Sequence, residues 1–275
     1  MSISAPRYGG SVAQRTGRLG RVLAIVSNEL EARAGWGTYA LVGLSYLAIV
    51  LIIVIDSEFT QFTGGVTLST LHAPYSSPIW PYLVLIVATA VGAGSIADDL
   101  GSRSITLYLA RPIHLTDYLA AKTLGVGFWI GVAAVGPGVV GVSIAAGLGL
   151  FSASIGFEAV GAFLAIGLLT TVFFTALGLS LSSFTTRALY AGVGIFGVTL
   201  SLNIATAAVQ GATGNSSVVY ASPINDLLTA AEAAFQTGAA TPTEPATSVA
   251  ILLAASVLLF VAAWFRLSRV EVVGE

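Results

Sequence analysis

The chain has no cysteine, one lysine and two histidines, and only 9% of its 275 residues are charged. Without cysteine there is no disulfide, no thiolate nucleophile and no Cys-based metal site. Lys122 is the single lysine and no Gly-rich loop precedes it, so a Walker A sequence is absent and P-loop nucleotide hydrolysis by this chain is excluded. His72 and His114 are isolated from one another, which excludes HExxH and dinuclear metal sites, and each reads as a solvated surface residue. An intramembrane serine protease needs a base at the depth of its nucleophile. Ser45 and Ser143 stand in apolar runs, but those runs hold no histidine or lysine. Proton-coupled pumps place Asp, Glu or His in the bilayer core, whereas here the ionisable groups fall at or beyond the ends of the apolar runs.

What is present is apolar residues. The chain is 56% hydrophobic with 31 glycines, and its mean hydropathy is +0.91. Those values belong to a polytopic membrane protein. The net charge is −2 and the cations do not pool into one basic face, so nucleic acid is not an expected partner. Six apolar segments, at 37–55, 79–97, 124–150, 157–181, 188–209 and 248–265, each approach the roughly 20 residues a bilayer requires. The fold class follows as all-α, with six transmembrane helices. No secretory signal is expected, since five arginines precede the first apolar run and no small-residue cleavage site follows it.

Ahead of the first span, Leu19, Val22, Leu23, Val26 and Leu30 recur with helical period. Glu29 and Arg33 are spaced i, i+4 in the favourable order. The spacing predicts an amphipathic helix lying in the headgroup region, with its arginines on the polar side. The division is therefore a tail and interfacial helix over 1–36, a six-span domain over 37–269 and a short tail over 270–275. Every lysine and arginine falls before span one, between spans two and three, between four and five, or after six. The segments 56–78, 151–156 and 210–247 contain none. By the positive-inside rule both termini are cytoplasmic and those three segments are external. In the longest of them Ser222 can cap a helix with Pro223 at its first position. Ile224, Leu227, Leu228, Ala231 and Phe235 would form its apolar stripe. Gly136-Pro137-Gly138 is expected to kink span three, and Gly127 and Gly131 have small-xxx-small packing spacing.

The stretch 96–122 carries six charged residues, Asp98, Asp99, Arg103, Arg111, Asp117 and Lys122, around an apolar patch of Ile105, Leu107, Tyr108 and Leu109. Pro112 breaks any helix begun upstream, so two short helices hinged at Arg111-Pro112 are expected. This run of paired acids, small Gly101, aliphatic and aromatic patch, Pro112, Tyr118 and Lys122 leading into a span resembles the permease subunits of type-2 ATP-binding-cassette exporters. The number of spans and the Ser222-Pro223 helix agree. The family commonly has an arginine three positions after the proline, where this chain has Leu115. The resemblance implies a membrane subunit of an ATP-driven exporter that is not itself an enzyme. It implies a dimer with a second permease copy and separate P-loop ATPase subunits, ATP and magnesium being held on those partners. The chain would be a multi-pass protein of a prokaryotic plasma membrane. It also implies that the loop 98–123 couples to the ATPase through Asp98, Asp99, Arg103, Leu107, Tyr108, Leu109, Arg111, Pro112 and Lys122. Spans two and five would line the path. Thr199, Asn203 and Thr206 are the polar groups at depth in span five, able to line it or to bond neighbouring helices. The competing readings are a non-transporting assembly or sensory subunit, and a channel or uniporter, the last weakened by the lack of charge rings in the spans.

The topology is checked by cysteines introduced singly at Ser217 and Ser102, since no native thiol interferes. A membrane-impermeant thiol reagent should label the first in intact cells and spare the second; the reverse pattern would invert the assignment.

Overall fold

The computed structural model describes residues 17–75, 78–104, 114–238 and 242–272, with side chains as far as residue 269. An N-terminal helix α1 (Arg18–Arg33) leads into α2 (Trp36–Thr63). A 3-10 turn (Thr70–Tyr75) follows, then α3 (Ile79–Gly92), α4 (Gly94–Gly101), α5 (Leu115–Gly147), α6 (Ala153–Ser183) and α7 (Ala188–Thr213). A second 3-10 turn (Ser216–Ala221), α8 (Pro223–Ala234) and α9 (Pro245–Val272) complete the described chain. Six helices are long and apolar enough to cross a membrane: α2, the joined α3 and α4, α5, α6, α7 and α9. The all-helical, six-span class follows.

The most apolar windows of α3–α4, α5 and α6 are 67%, 50% and 56% buried, against 22%, 17% and 22% for α2, α7 and α9. The first three therefore form the centre, and the other three turn most of their apolar surface outward, as helices solvated by lipid can. The 28-residue α2 outruns its apolar segment because Asp56 to Thr63 continue the helix, with the Thr60 hydroxyl donating back to the Asp56 carbonyl at 2.5 Å.

Span three stays α-helical through its Gly-Pro-Gly sequence: α5 runs without interruption through Gly136, Pro137 and Gly138. The two glycines serve packing instead: a Cβ at Gly136 would collide with the Tyr46 ring and hydroxyl, and one at Gly138 with the Phe163 ring. Gly127 and Gly131 face Thr175 and Thr171 of α6, where an added Cβ would find 3.4 Å and 3.6 Å of room. That spacing admits alanine, so these two glycines ease the helix contact without being required by it.

The break lies in span two, between α3 and α4. Gly92 faces Gly178 of α6 so closely that a Cβ on either would lie 3.2 Å or 3.3 Å from the other's Cα. This approach brings the Ser182 hydroxyl into the turn at Ala93. Its oxygen accepts from the backbone N–H of Ile96 at 3.0 Å and of Ala97 at 2.8 Å, and it donates to the Ala93 carbonyl at 2.8 Å. The Gly92 carbonyl takes the Ser95 hydroxyl at 2.8 Å. A side chain inserted into the i→i−4 ladder is a recognised cause of a helix break, and here it leaves the freed groups satisfied in a dry interior.

At the end of the bundle opposite α1, α8 forms a lid over the spans. Ser222 caps it by accepting from Asn225 N–H at 3.4 Å, and Pro223 occupies the first turn. Its expected stripe is buried at Ile224, Leu227, Ala231 and Phe235, with Leu228 partly so. Phe235 meets Phe163, Tyr75 and His72 with ring centroids 4.9, 5.5 and 5.8 Å away, and Trp80 lies 4.4 Å from Tyr75. His72 is thus not the solvated residue expected from its sequence. It is buried in this aromatic cluster, and desolvation holds its pKa below the ordinary value despite the opposing field of Glu232. A lone histidine in a short segment without clear period carries no sign of the helix that will cover it.

Replacing Ser182 by alanine removes the group that satisfies two backbone donors and one acceptor in the interior. We expect a loss of about 1–3 kcal/mol, read as a lower thermal midpoint of the detergent-solubilised protein. Threonine, which keeps the hydroxyl, should restore more of the loss than valine.

Candidate functional site

Of the residues singled out between spans two and three, Asp98, Asp99 and Lys122 meet at the end of the bundle that carries α1. α1 lies across the start of α5, and the face it presents to the bundle is partly charged. Ile25 and Glu29 are buried, whereas Leu19 and Leu23 are 79% and 63% exposed. Val22, Val26 and Leu30 of the expected stripe are half-buried, so the docked face mixes apolar residues with Glu29 and only Leu19 and Leu23 of the stripe stand outside it. What draws Glu29 inward is its set of partners.

The Lys122 ammonium lies two turns into α5 with its side chain 5% exposed. It contacts Glu29 Oε2 at 2.5 Å and Asp99 Oδ2 at 2.9 Å. Arg33 Nε takes the other Glu29 oxygen at 3.1 Å, and the Arg33 guanidinium reaches Asp98 Oδ2 at 3.4 Å. The Tyr118 hydroxyl donates to Asp99 Oδ2 at 2.6 Å, and the Ser104 hydroxyl to Asp99 Oδ1 at 3.1 Å. One buried network thus ties α1, α4 and α5 together. Small residues make room for it. A Cβ at Gly125 would stand 2.7 Å from Glu29 Cγ, and one at Gly94 would collide with Asp98 and Arg33. At the margin, Arg18 forms a bidentate pair with Asp117, Nη2 to Oδ1 at 2.6 Å and Nε to Oδ2 at 3.0 Å. That pair is open to solvent at Arg18 and contributes little by comparison.

Asp98, Asp99 and Lys122 are therefore brought together. Arg103 ends α4 in the left-handed backbone region, with φ 57°, and Gly101 beside it comes close to the Thr186 carbonyl between α6 and α7. Leu107, Tyr108, Leu109, Arg111 and Pro112 lie outside the described residues. Glu29 and Arg33 belong to the same network, although their sequence spacing indicates no more than a pair along one helix. Lys122, expected at the rim of span three, is inside the helix and buried. The other three candidates lie on α7 at different places. Thr199 and Thr206 are buried and donate within their own helix, to Ile195 and Asn203 carbonyls at 2.9 Å each. Asn203 Nδ2 donates to the Ser222 hydroxyl at 3.3 Å, joining span five to the cap of α8.

A family model described as ABC-2 family transporter protein matches residues 30–272. The chain belongs to this family. It is a multi-pass membrane protein of the permease kind, a class that associates with an ATP-binding subunit and carries no ATPase domain of its own. No curated protein sequence matches the chain. Asp98, Asp99 and Lys122 lie within the matched residues.

Removing one member of a buried, hydrogen-bonded ion pair leaves its partner charged and desolvated, at a cost of about 3–5 kcal/mol. Lys122→Met should lower the thermal midpoint of the purified protein more than any exposed-arginine substitution, including Arg18→Met. The double variant Glu29→Gln, Lys122→Met should recover part of that loss. A Lys122→Met protein as stable as the parent would show that the network is dispensable.

Proposed function

We propose that this chain is the membrane subunit of an ATP-driven exporter, acting as a dimer of permeases with two separate P-loop ATPase subunits. ATP and magnesium belong to those subunits, the loop 98–123 docks on them, and both chain ends face the cytoplasm of a prokaryotic cell. The observation that carries this reading is the Glu29–Lys122–Asp99 junction. The two helices that flank the loop, α4 and α5, are joined through one buried ammonium to each other and to α1. A push on the loop therefore reaches α4 and the start of α5 as a unit, together with α1.

The Ser182 clamp fits the same motion. A span broken at Gly92 lets α4 follow the loop while α3 keeps its place among the central helices. Leu107, Tyr108 and Leu109 would form the knob that enters the ATPase, with Arg103, Arg111 and Asp98 setting register. Interfaces of this kind draw most of their energy from a few buried anchors, about 2 kcal/mol or more apiece. Pro112 would hold the hinge between the two arms of the loop.

The test uses the chain co-expressed with a candidate P-loop ATPase subunit from the same genome. The permease alone should turn over no ATP, and the two should copurify with two permease copies per complex. Tyr108→Ala with Leu109→Ala should leave insertion intact and weaken ATPase recovery at least tenfold, about 1.4 kcal/mol. Full recovery of the ATPase with substrate-responsive turnover in that variant would refute the coupling role.

A further inference from the structure

A cavity of about 410 Å³ opens between α6, α7, α8 and α9, near the end of the bundle that α8 covers. Its walls are apolar, with Phe173, Leu177, Leu202, Leu252 and Leu259 among them, and Asp226 of α8 is the one carboxylic acid in its lining. That side chain is 1% exposed. The Ser248 hydroxyl donates to its Oδ1 at 2.8 Å, and among the described residues Oδ2 has no partner of its own. Desolvation pushes the Asp226 pKa up to about 7, with the Ser248 hydrogen bond opposing it.

The decisive observation is what the chain withholds. Between Arg187 and Arg266 there is no lysine, arginine or histidine. α7 and α8 therefore bring no cation to this carboxyl, α6 has none either, and the two arginines of α9, Arg266 and Arg269, lie beside Phe184 at the other end of that helix. A carboxylate buried in an apolar wall without a counter-charge is strongly disfavoured, so it must hold a proton or pair with a cation from outside the chain. A pocket of this size, mostly apolar with one directed polar group, has the form of a small-molecule site.

We propose that this cavity binds a membrane-soluble amine, its apolar body against Leu202, Leu252 and Leu259 and its ammonium on Asp226 Oδ2. The ammonium supplies the positive charge that the cavity lining lacks. Ser248 holds the carboxyl's other oxygen, so the free one points at the ligand. Thr199, whose hydroxyl donates to Ile195 and keeps acceptor capacity, adds a second polar contact for the head group. An alcohol of the same shape would gain a neutral hydrogen bond only, and a fatty acid would set a second carboxyl against the first. The site concerns binding by this chain alone and does not rest on the coupling role of the loop 98–123.

The experiment uses the full chain in phosphatidylcholine nanodiscs and three probes, octylamine, octanol and octanoic acid, each with a photoreactive diazirine on the chain. Crosslinked residues are mapped by mass spectrometry. The amine should label Leu202, Leu252 or their neighbours saturably, and unlabelled octylamine should compete about tenfold or more better than octanol, the advantage of a charge-assisted contact. Asp226→Asn, which keeps the shape and an acceptor for Ser248, should abolish that preference and leave octanol labelling unchanged. Leu202→Trp, at the partly exposed cavity wall, should block all three probes. Equal labelling by the three probes, insensitive to Asp226→Asn, would make the cavity an acyl-chain slot and overturn the proposal. So would amine labelling that survives Leu202→Trp, because the amine would then be bound elsewhere.

Discussion

A buried ammonium must be neutralised on the spot, and at Lys122 this requirement fixes how the basic end of the protein is built. The lysine stem alone could reach solvent from the start of α5, but the head instead turns to Glu29 and Asp99. To supply Glu29, α1 must turn that residue inward together with Ile25, leaving Leu19 and Leu23 outside. To supply Asp99, the end of span two must come down beside α5, where Tyr118 and Ser104 also hold that carboxylate. The carboxylates would otherwise stand at the negative end of the span-two helix dipole, an unfavourable place for them. Pairing with Lys122 and Arg33 removes that conflict. The position of α1 and the approach of α4 to α5 are thus both consequences of one charge.

The same economy governs the backbone. A helix can be interrupted inside a membrane protein only if other protein groups satisfy what the break exposes. Span two breaks because a serine of α6 arrives at the right place, and it arrives because two glycines let the helices touch there. Span three, with a proline and two glycines together, stays helical because no such group enters it and neighbouring rings fill the space the glycines leave. Proline costs one ladder bond; it does not by itself end a helix.

The opposite end is organised by aromatic packing instead of charge. His72, Tyr75, Trp80, Phe163 and Phe235 close over one another beneath α8, and the buried Trp80 indole, Tyr75 hydroxyl and His72 Nε2 have no hydrogen-bond partner among the described residues. Asp226 lies on the same helical lid, on the side that faces the apolar cavity.

Much of this was legible in the sequence. Six apolar runs of membrane length fixed the number and order of the spans, because hydrocarbon thickness sets a length that composition must meet. The Ser222-Pro223 start and the stripe through Phe235 gave α8 with its buried face, since capping and helical period are local properties. The paired acids, Gly101 and Lys122 marked the loop between spans two and three as the place of interest, and the family match covers it. Partners across the fold were not legible. That Glu29 would serve Lys122 from 93 residues away, that Ser182 would split span two, and that Asp226 and His72 would be buried all depend on which helix faces lie together. Local sequence specifies a helix and its apolar face; the neighbour that neutralises a charge or completes a broken backbone is chosen only when the helices pack.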